Sequence, residues 1–405
     1  MGIGNQDQTA LSFDGDWREL LPIALSNLFL TIVTLGFYRF WGTVRERQYL
    51  WSKTRFIDDT FEWTGTGLEL FFGFLIALLL FGLPFLVLNL ILQGLALQGY
   101  GKIAGVMIAG IYIFLLFLAG VATFRGLRYR LSRTYWHGIH GGSDDAGWHY
   151  GWSWLWKNIV AYLCAALLFP WSMVSLWKQR WESMSFGPHK FHSAPEWGKL
   201  MPRYLLAYVA PFAIIILLFI VLVPIGMATA AGGIESDSPP AAMIALIVLA
   251  VLAFYVLWPL AALVFYAAYL REVINTMRRS TLEFEFTART KDWVKLFLGN
   301  VGLWILAGAA AMIPLGAFGL LSNFATLQPG QSPLPSDLLT LAIFGVAFAI
   351  PFGLVGPLIR YRNWSFFVRH LEAGGEINLA SLTQSNTREI KQGEGLLDAF
   401  DMGAI

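Results

Sequence analysis

Apolar residues gather in eight long runs, at about 20–38, 68–92, 103–124, 154–176, 204–228, 242–269, 296–321 and 338–359. Each comes close to or exceeds the roughly 20 residues that a bilayer-crossing helix needs. The pattern predicts an α-helical polytopic membrane protein. Pro84, Pro170, Pro211, Pro224, Pro259, Pro314, Pro351 and Pro357 interrupt the runs. Broken helices survive in lipid only where neighbours satisfy the freed carbonyls, so the runs are expected to pack as a bundle.

A shorter, period-two pattern recurs between the runs. Leu282-Glu283-Phe284-Glu285-Phe286-Thr287 alternates apolar and polar residues, as a half-buried strand does. Related pieces lie at Phe13 to Leu20, Phe61 to Leu70 and Phe191 to Leu200, with Trp148-His149-Tyr150 and Glu376-Ile377-Asn378-Leu379 as further members. Pairing these strands predicts a small cytoplasmic β-layer under the helices. The competing reading is extended interfacial loops carrying belt aromatics.

Charge adds an orientation. Of 28 Lys and Arg residues, 26 fall in five connecting segments: between runs one and two, three and four, four and five, six and seven, and after run eight. By the positive-inside rule these segments and both termini are cytoplasmic. The N-terminus, with Asp14, Asp16 and Glu19 and no basic stretch, is not read as a cleavable signal. Basic segments on both sides of run four mean that it should not cross. Runs one and four correspond: each follows tryptophan (Trp17; Trp152, Trp154), carries one asparagine (Asn27, Asn158) and leads to a basic aromatic segment (Arg45 to Tyr49; Lys178 to Trp181). Both are therefore expected to be re-entrant or interfacial, giving about six crossing helices plus two partial spans; the alternative is eight ordinary crossings with one badly charged loop. The third copy is the hairpin of runs seven and eight, from Trp293 and Asn300 to Trp364. One membrane domain over 1–405 would then hold degenerate repeats at 13–67, 148–200 and 284–380, separated by helix pairs 68–124 and 204–269.

The stretch Asn27-Leu28-Phe29-Leu30-Thr31-Ile32-Val33-Thr34-Leu35-Gly36, followed by Tyr38, Trp41, Val44-Arg45 and Tyr49, resembles the signature of the YjgN-like family, as does Arg128-Tyr129-Arg130-Leu131-Ser132-Arg133-Thr134. The resemblance covers most of the chain and is strongest at 13–75 and 124–155. It implies a bacterial inner-membrane protein of a domain of unknown function, and it brings no catalytic residue or substrate. Many members have a proline before the Trp41 position, where this chain has Phe40.

Chemistry is sparse. A net charge of +2 and arginines scattered between runs exclude a nucleic-acid partner. The lone Cys164 allows no disulfide within the chain. His137, His140, His149, Asp144 and Asp145 in a glycine-rich loop are weak metal candidates, read chiefly as a polar turn. His189, His192 and His370 read as surface residues. Asn27, Asn158 and Asn300 are read first as glue between helices and second as the lining of a cavity. Arg45, Arg47, Arg128, Arg130, Arg360 and Arg362, with Lys53 and Arg55, are topology anchors or, more sharply, a basic mouth for an anionic lipid or metabolite. No cofactor and no enzyme activity are expected, since phosphate loops, nucleophile elbows and paired carboxylates are missing. Two functions remain open. One is binding or passage of a small or amphipathic solute, with anionic ones among the candidates. The other is a scaffold in the bilayer whose strand layer takes a cytoplasmic protein partner.

Overall fold

The structure, a computed structural model, describes residues 10–231, 241–317, 335–375 and Thr383. Its organising element is a layer of short antiparallel strands that neighbour one another in chain order. β1 (Leu11–Phe13) pairs with β2 (Thr54–Phe56), and β2 with β3 (Asp59–Thr60). β4 (Glu62–Trp63), β5 (Thr134–Trp136), β6 (Ile139–Gly142), β7 (Ser185–Phe186) and β8 (His189–Lys190) follow, then β9 (His192–Ser193), β10 (Met277–Arg279), β11 (Leu282–Phe286) and β12 (Leu371–Gly374). Single residues separate β3 from β4 and β8 from β9. Across those breaks Phe61 N–H still donates to Thr54 O at 3.0 Å and Phe191 N–H to Met184 O at 3.2 Å. The last strand comes close to the first without pairing with it among the described residues.

Four tight turns drive the meander, β2–β3, β5–β6, β7–β8 and β10–β11. Each has a left-handed residue after its first strand: Ile57 (φ +60°), His137 (φ +50°), Gly187 (φ +58°) and Ser280 (φ +54°). Positive φ at this place gives a two-residue turn the twist of the flanking strands.

Between the turns the chain leaves the layer as helical pairs. α1 (Trp17–Val33) and α2 (Arg39–Ser52) lie between β1 and β2, whose Leu11 and Phe56 are partners. A continuous helical path, α3 (Gly67–Ala77), a π-turn (Leu78–Gly82) and α4 (Leu83–Leu97), goes out and α5 (Gly101–Arg133) returns, with Glu62 opposite Tyr135. α6 (Trp148–Leu163) and α7 (Phe169–Glu182) lie between Gly142 and its partner Ser185. α8 (Met201–Ala231) and α9 (Ala241–Asn275) lie between Ser193 and Met277. α10 (Thr290–Ala317) and α11 (Pro335–His370) lie between Phe286 and Leu371. Paired strands flank every helical pair, so each pair starts and ends at the same level.

Local chemistry sets the boundaries. Asp16 caps α1, its carboxylate accepting from Arg18 N–H at 3.0 Å. Thr66 and Glu69 form a capping box on α3. Phe40 takes the place of a proline without consequence, since α2 runs unbroken from Arg39. The fourth apolar run is two helices. Ala165 (φ +52°) and Ala166 (φ +64°) turn the chain between α6 and α7, as Leu35 (φ +52°) and Gly36 (φ +95°) do between α1 and α2. Trp148-His149-Tyr150 is the first turn of α6, not a strand: Asp145 accepts from Gly147 N–H at 2.8 Å at the helix start, which overrides the alternation of aromatics at 148, 150, 152, 154 and 156. The strand expected at 376–379 lies outside the described residues.

The core sits in the strand layer. Trp136 is buried there and donates to Phe56 O at 3.1 Å, Trp51 to Thr134 Oγ1 at 2.9 Å, and Trp364 to Thr54 Oγ1 at 2.8 Å. Trp51 and Trp364 stack at 4.0 Å. Above the layer the packing reverses, and helices expose Leu, Ile, Val and Phe outward. Among the described residues four helices are long and apolar enough to cross a membrane: Gly101–Arg133, Trp197–Val221, Ala253–Asn275 and Thr290–Ile313. Helices apolar all round suit a hydrocarbon surrounding.

Candidate functional site

The three asparagines occupy one structural position. Each is the eleventh residue of its helix, counted from Trp17, Trp148 and Thr290. Each bridges to the second helix of its own pair. Asn27 Nδ2 donates to Gly42 O at 3.1 Å, Ser172 Oγ donates to Asn158 Oδ1 at 3.2 Å, and Asn300 Nδ2 donates to Asn363 Oδ1 at 3.0 Å. Gly42 leaves room for this approach, because a Cβ there would meet Asn27 at 3.2 Å. A cation accompanies each asparagine. Arg45 reaches Asn27 Oδ1 at 3.1 Å, Arg362 reaches Asn300 Oδ1 at 3.1 Å, and Lys157, beside Asn158, donates to Ser175 Oγ at 2.7 Å and Gln179 Oε1 at 3.2 Å. Lys157 lies by sequence at the start of the fourth apolar run, next to a basic connection. In the structure it is buried between α6 and α7.

The arginines of the expected basic mouth are shared among separate partners. Arg360 binds Glu46, with Nη2–Oε2 at 2.6 Å and Nε–Oε2 at 3.0 Å, and so ties α11 to the α1–α2 pair beside Asn27. Arg47 is buried over the Trp63 ring at 5.0 Å. Arg128 donates to Asp145 O at 2.8 Å and Arg130 to Gly126 O at 3.4 Å. Arg45 and Arg360 meet at one Asn27–Glu46 network. Arg362, Arg47, Arg128 and Arg130 stand elsewhere.

The glycine-rich loop is likewise divided. His137 Nε2 lies 3.0 Å from Asp58 Oδ1 and its Nδ1 3.7 Å from Asp59 Oδ2, linking two strand turns. The His140 ring lies on Gly141 O, Asp145 starts α6, and Asp144 and His149 are exposed. Among the described residues no three His, Cys, Asp or Glu side chains gather as a metal site. At the base of α1, Tyr49 Oη donates to Asp16 O at 2.7 Å and Lys53 pairs with Glu19 at 2.8 Å. Burial first, and the Glu19 charge after it, push the Tyr49 phenol up to about 12. The Lys53 hydrogen bond holds Glu19 below the ordinary carboxylate value. His137 does the same for Asp58.

The site that sequence reasoning missed is a cavity of about 350 Å³ among α5, α6, α7 and α9, lined mainly by aromatic and aliphatic side chains. It runs along the α6–α7 pair. Tyr150, Trp177, Arg180 and Tyr269 line it where those helices meet the strand layer, and Tyr162 and Phe169 line it at the far turn. Leu116, Ile159 and Tyr162, all on its wall, are exposed on the apolar exterior. Asn158 borders it, but Asn27 and Asn300 do not. Two buried donors on its walls, Arg180 Nε and Trp177 Nε1, meet no acceptor among the described residues. The Arg180 guanidinium lies 5.5 Å from the Trp177 ring centre and has no carboxylate partner among the described residues. Its neighbour Glu182 pairs with Lys178. The sequence does carry a signal: Trp177 and Arg180 are three residues apart on one helix face, opposite Tyr150 and Trp154. Only the fold shows that Tyr269 closes the group.

A family model described as a bacterial protein of unknown function, DUF898, matches residues 8–399. The chain is also similar to the inner membrane protein YjgN of Salmonella typhimurium strain LT2, 31% identical over 132 residues. That alignment covers 33% of this chain and 30% of the relative, so the chain spans less than a third of that protein's length. No solved structure matches.

Proposed function

We propose, from the premise that this chain belongs to the DUF898 family of bacterial proteins, that it is an inner-membrane protein which takes a small amphipathic solute from the bilayer into the α5–α6–α7–α9 cavity. The observation that carries the reading is the position of that cavity. It opens beside apolar side chains that face outward and reaches inward to polar ones at the strand layer. Binding sites of this size are mostly apolar with a few convergent polar groups.

The membrane arrangement belongs to the same reading. Six helical passes cross: the α3–α4 path, α5, α8, α9, α10 and α11. The shorter pairs α1–α2 and α6–α7 dip in and return, the strand layer and both termini are cytoplasmic, and the three asparagine-bearing pairs descend from one repeated unit. The shared eleventh-residue asparagine and its cation support the repeat. The printed name of the YjgN relative supports the membrane address. A scaffold that captures a partner by strand addition needs a free strand edge. Here the first and last strands come close without pairing among the described residues, so it is the cavity, not a closed edge, that favours the solute.

Purification in a mild detergent, followed by extraction and mass spectrometry, tests the reading. About one equivalent of an amphiphile is expected per chain, and Met173→Trp, which fills the cavity, should lose it. Equal amounts in both proteins, or none in either, would remove the cavity as the site.

A further inference from the structure

Taking the solute reading as given, we infer that the ligand is a single-chain amphiphile with an oxyanion headgroup, held by Arg180 and Trp177 at the strand-layer end, its acyl chain lying along α6–α7 toward Tyr162 and Phe169. Three independent observations point to this ligand class.

The first is the unmet demand for an acceptor. Buried N–H groups in folded proteins are nearly always paired, and a charged donor without a partner is costly. Arg180 Nε and Trp177 Nε1 are both buried without acceptors among the described residues, and both side chains line one cavity. An oxyanion would serve both at once. Arginine's fork suits a carboxylate or phosphate better than any neutral headgroup.

The second is the polarity gradient. Phe169 and Arg180 are eleven residues apart on one helix, about 16 Å at 1.5 Å per residue. The cation is at the layer end, with Tyr150 and Tyr269. The far end, at Tyr162 and Phe169, is aromatic and lacks charge. A molecule charged at one end and apolar along its length matches that order.

The third is size and access. The cavity, about 350 Å³, falls within the size range of small-ligand sites. The exposed wall residues Leu116, Ile159 and Tyr162 give a chain a lateral entry.

The headgroup chemistry comes from two sources, the carboxylate of a long-chain fatty acid and the phosphate of a lysophosphatidic acid. The test is equilibrium binding of three radiolabelled single-chain probes, a fatty acid, a lysophosphatidic acid and a neutral monoacylglycerol, to the full chain in phosphatidylcholine nanodiscs. One or both anions should bind at least tenfold more tightly than the neutral probe, and the tighter anion identifies the source. Arg180→Gln should weaken that anion at least tenfold, leave the neutral probe unchanged and keep the melting temperature. Arg180→Lys should restore part of the affinity. If neutral and anionic probes bind alike and Arg180→Gln changes neither, the headgroup assignment is wrong while the solute reading stands. If none of the three binds, the solute reading falls with it. An Arg180→Gln protein that melts early is replaced by Trp177→Phe, which keeps the ring and removes its N–H. Unchanged anion affinity in that variant would overturn the two-donor headgroup site.

Discussion

At the scale of single residues, the Glu46–Arg360 pair shows how this chain handles charge near the bilayer. Glu46 is 5% exposed, and Arg360 crosses from α11 to meet it at 2.6 Å. Removing one partner of a buried pair leaves the other charged and unpaired, which costs more than the pair contributes. Glu46→Gln should destabilise by about 2 kcal/mol, less than the roughly 3–5 kcal/mol of a fully buried pair because Arg360 keeps some solvent. Glu46→Gln with Arg360→Met should recover most of it. Detergent-phase melting of the two single variants and the double variant reads this directly, and additive losses would deny the coupling. Two surface carboxyls add a pH dependence. Glu19 and Asp58 are held below their ordinary value by Lys53 and His137. Their contribution is complete above the unfolded carboxylate pKa of about 4 and is lost as pH falls through the lower folded value. The melting temperature should drop between pH 5 and 3, and less steeply in Asp58→Asn; identical slopes would show that the turn-to-turn contact carries none of it. The asparagines were legible in the sequence because amides inside apolar runs need partners. Arg180 was not, because the residues that make its surroundings come from α5, α6 and α9, far apart in the chain.

Among elements, the strand turns store strain that can be measured. Ser280 is exposed and sits at φ +54°, a region costly for any residue with a Cβ. Ser280→Gly should raise stability by about 0.5–1 kcal/mol, whereas Ser280→Val should lower it by a similar amount or more. Equal melting temperatures for the two would mean that the backbone there is not held left-handed. The long helices were readable from their apolar runs, and β11 from its alternation. Several other strands are two residues long, too short for any period to show. The turns at Leu35 and at Ala165 and Ala166 were hidden for a different reason. Their residues are apolar, so the usual polar punctuation is missing and run four reads as one helix across its own bend. The expectation that the run does not cross comes from the basic residues on both sides of it, not from its hydropathy.

For the whole molecule, the decisive quantity is depth. On most described helices the charged side chains stop a short way above the strand layer; Arg39, at the start of α2, and Lys102, near the start of α5, are the exceptions. At 1.5 Å per residue, Arg45 is about 10 Å along α2 from Ser52, Arg125 about 12 Å along α5 from Arg133, and Lys157 about 14 Å along α6 from Trp148. The α1 and α6 tips, 17 and 16 residues out, stand about 25 Å from the layer. The α6–α7 pair therefore extends about 10 Å beyond Lys157, about a third of a hydrocarbon core about 30 Å thick, whereas Arg39 stands at the tip of the α1–α2 pair. The α6–α7 tip should end inside the bilayer without crossing it. Cys164 is exposed at the α6–α7 turn and is the chain's one cysteine, so nature has already placed the probe. In sealed vesicles of either orientation it should resist an impermeant maleimide and react once detergent is added. Single cysteines at Ala146 and Ala194, both exposed, in a Cys164→Ser background should label from the cytoplasmic side alone. Labelling of Cys164 from the periplasmic face would mean that the pair spans the bilayer, and the cavity along it would then connect two aqueous phases. Protection from both faces places the cavity's apolar end in the lipid interior, where an acyl chain would enter and an ion would not.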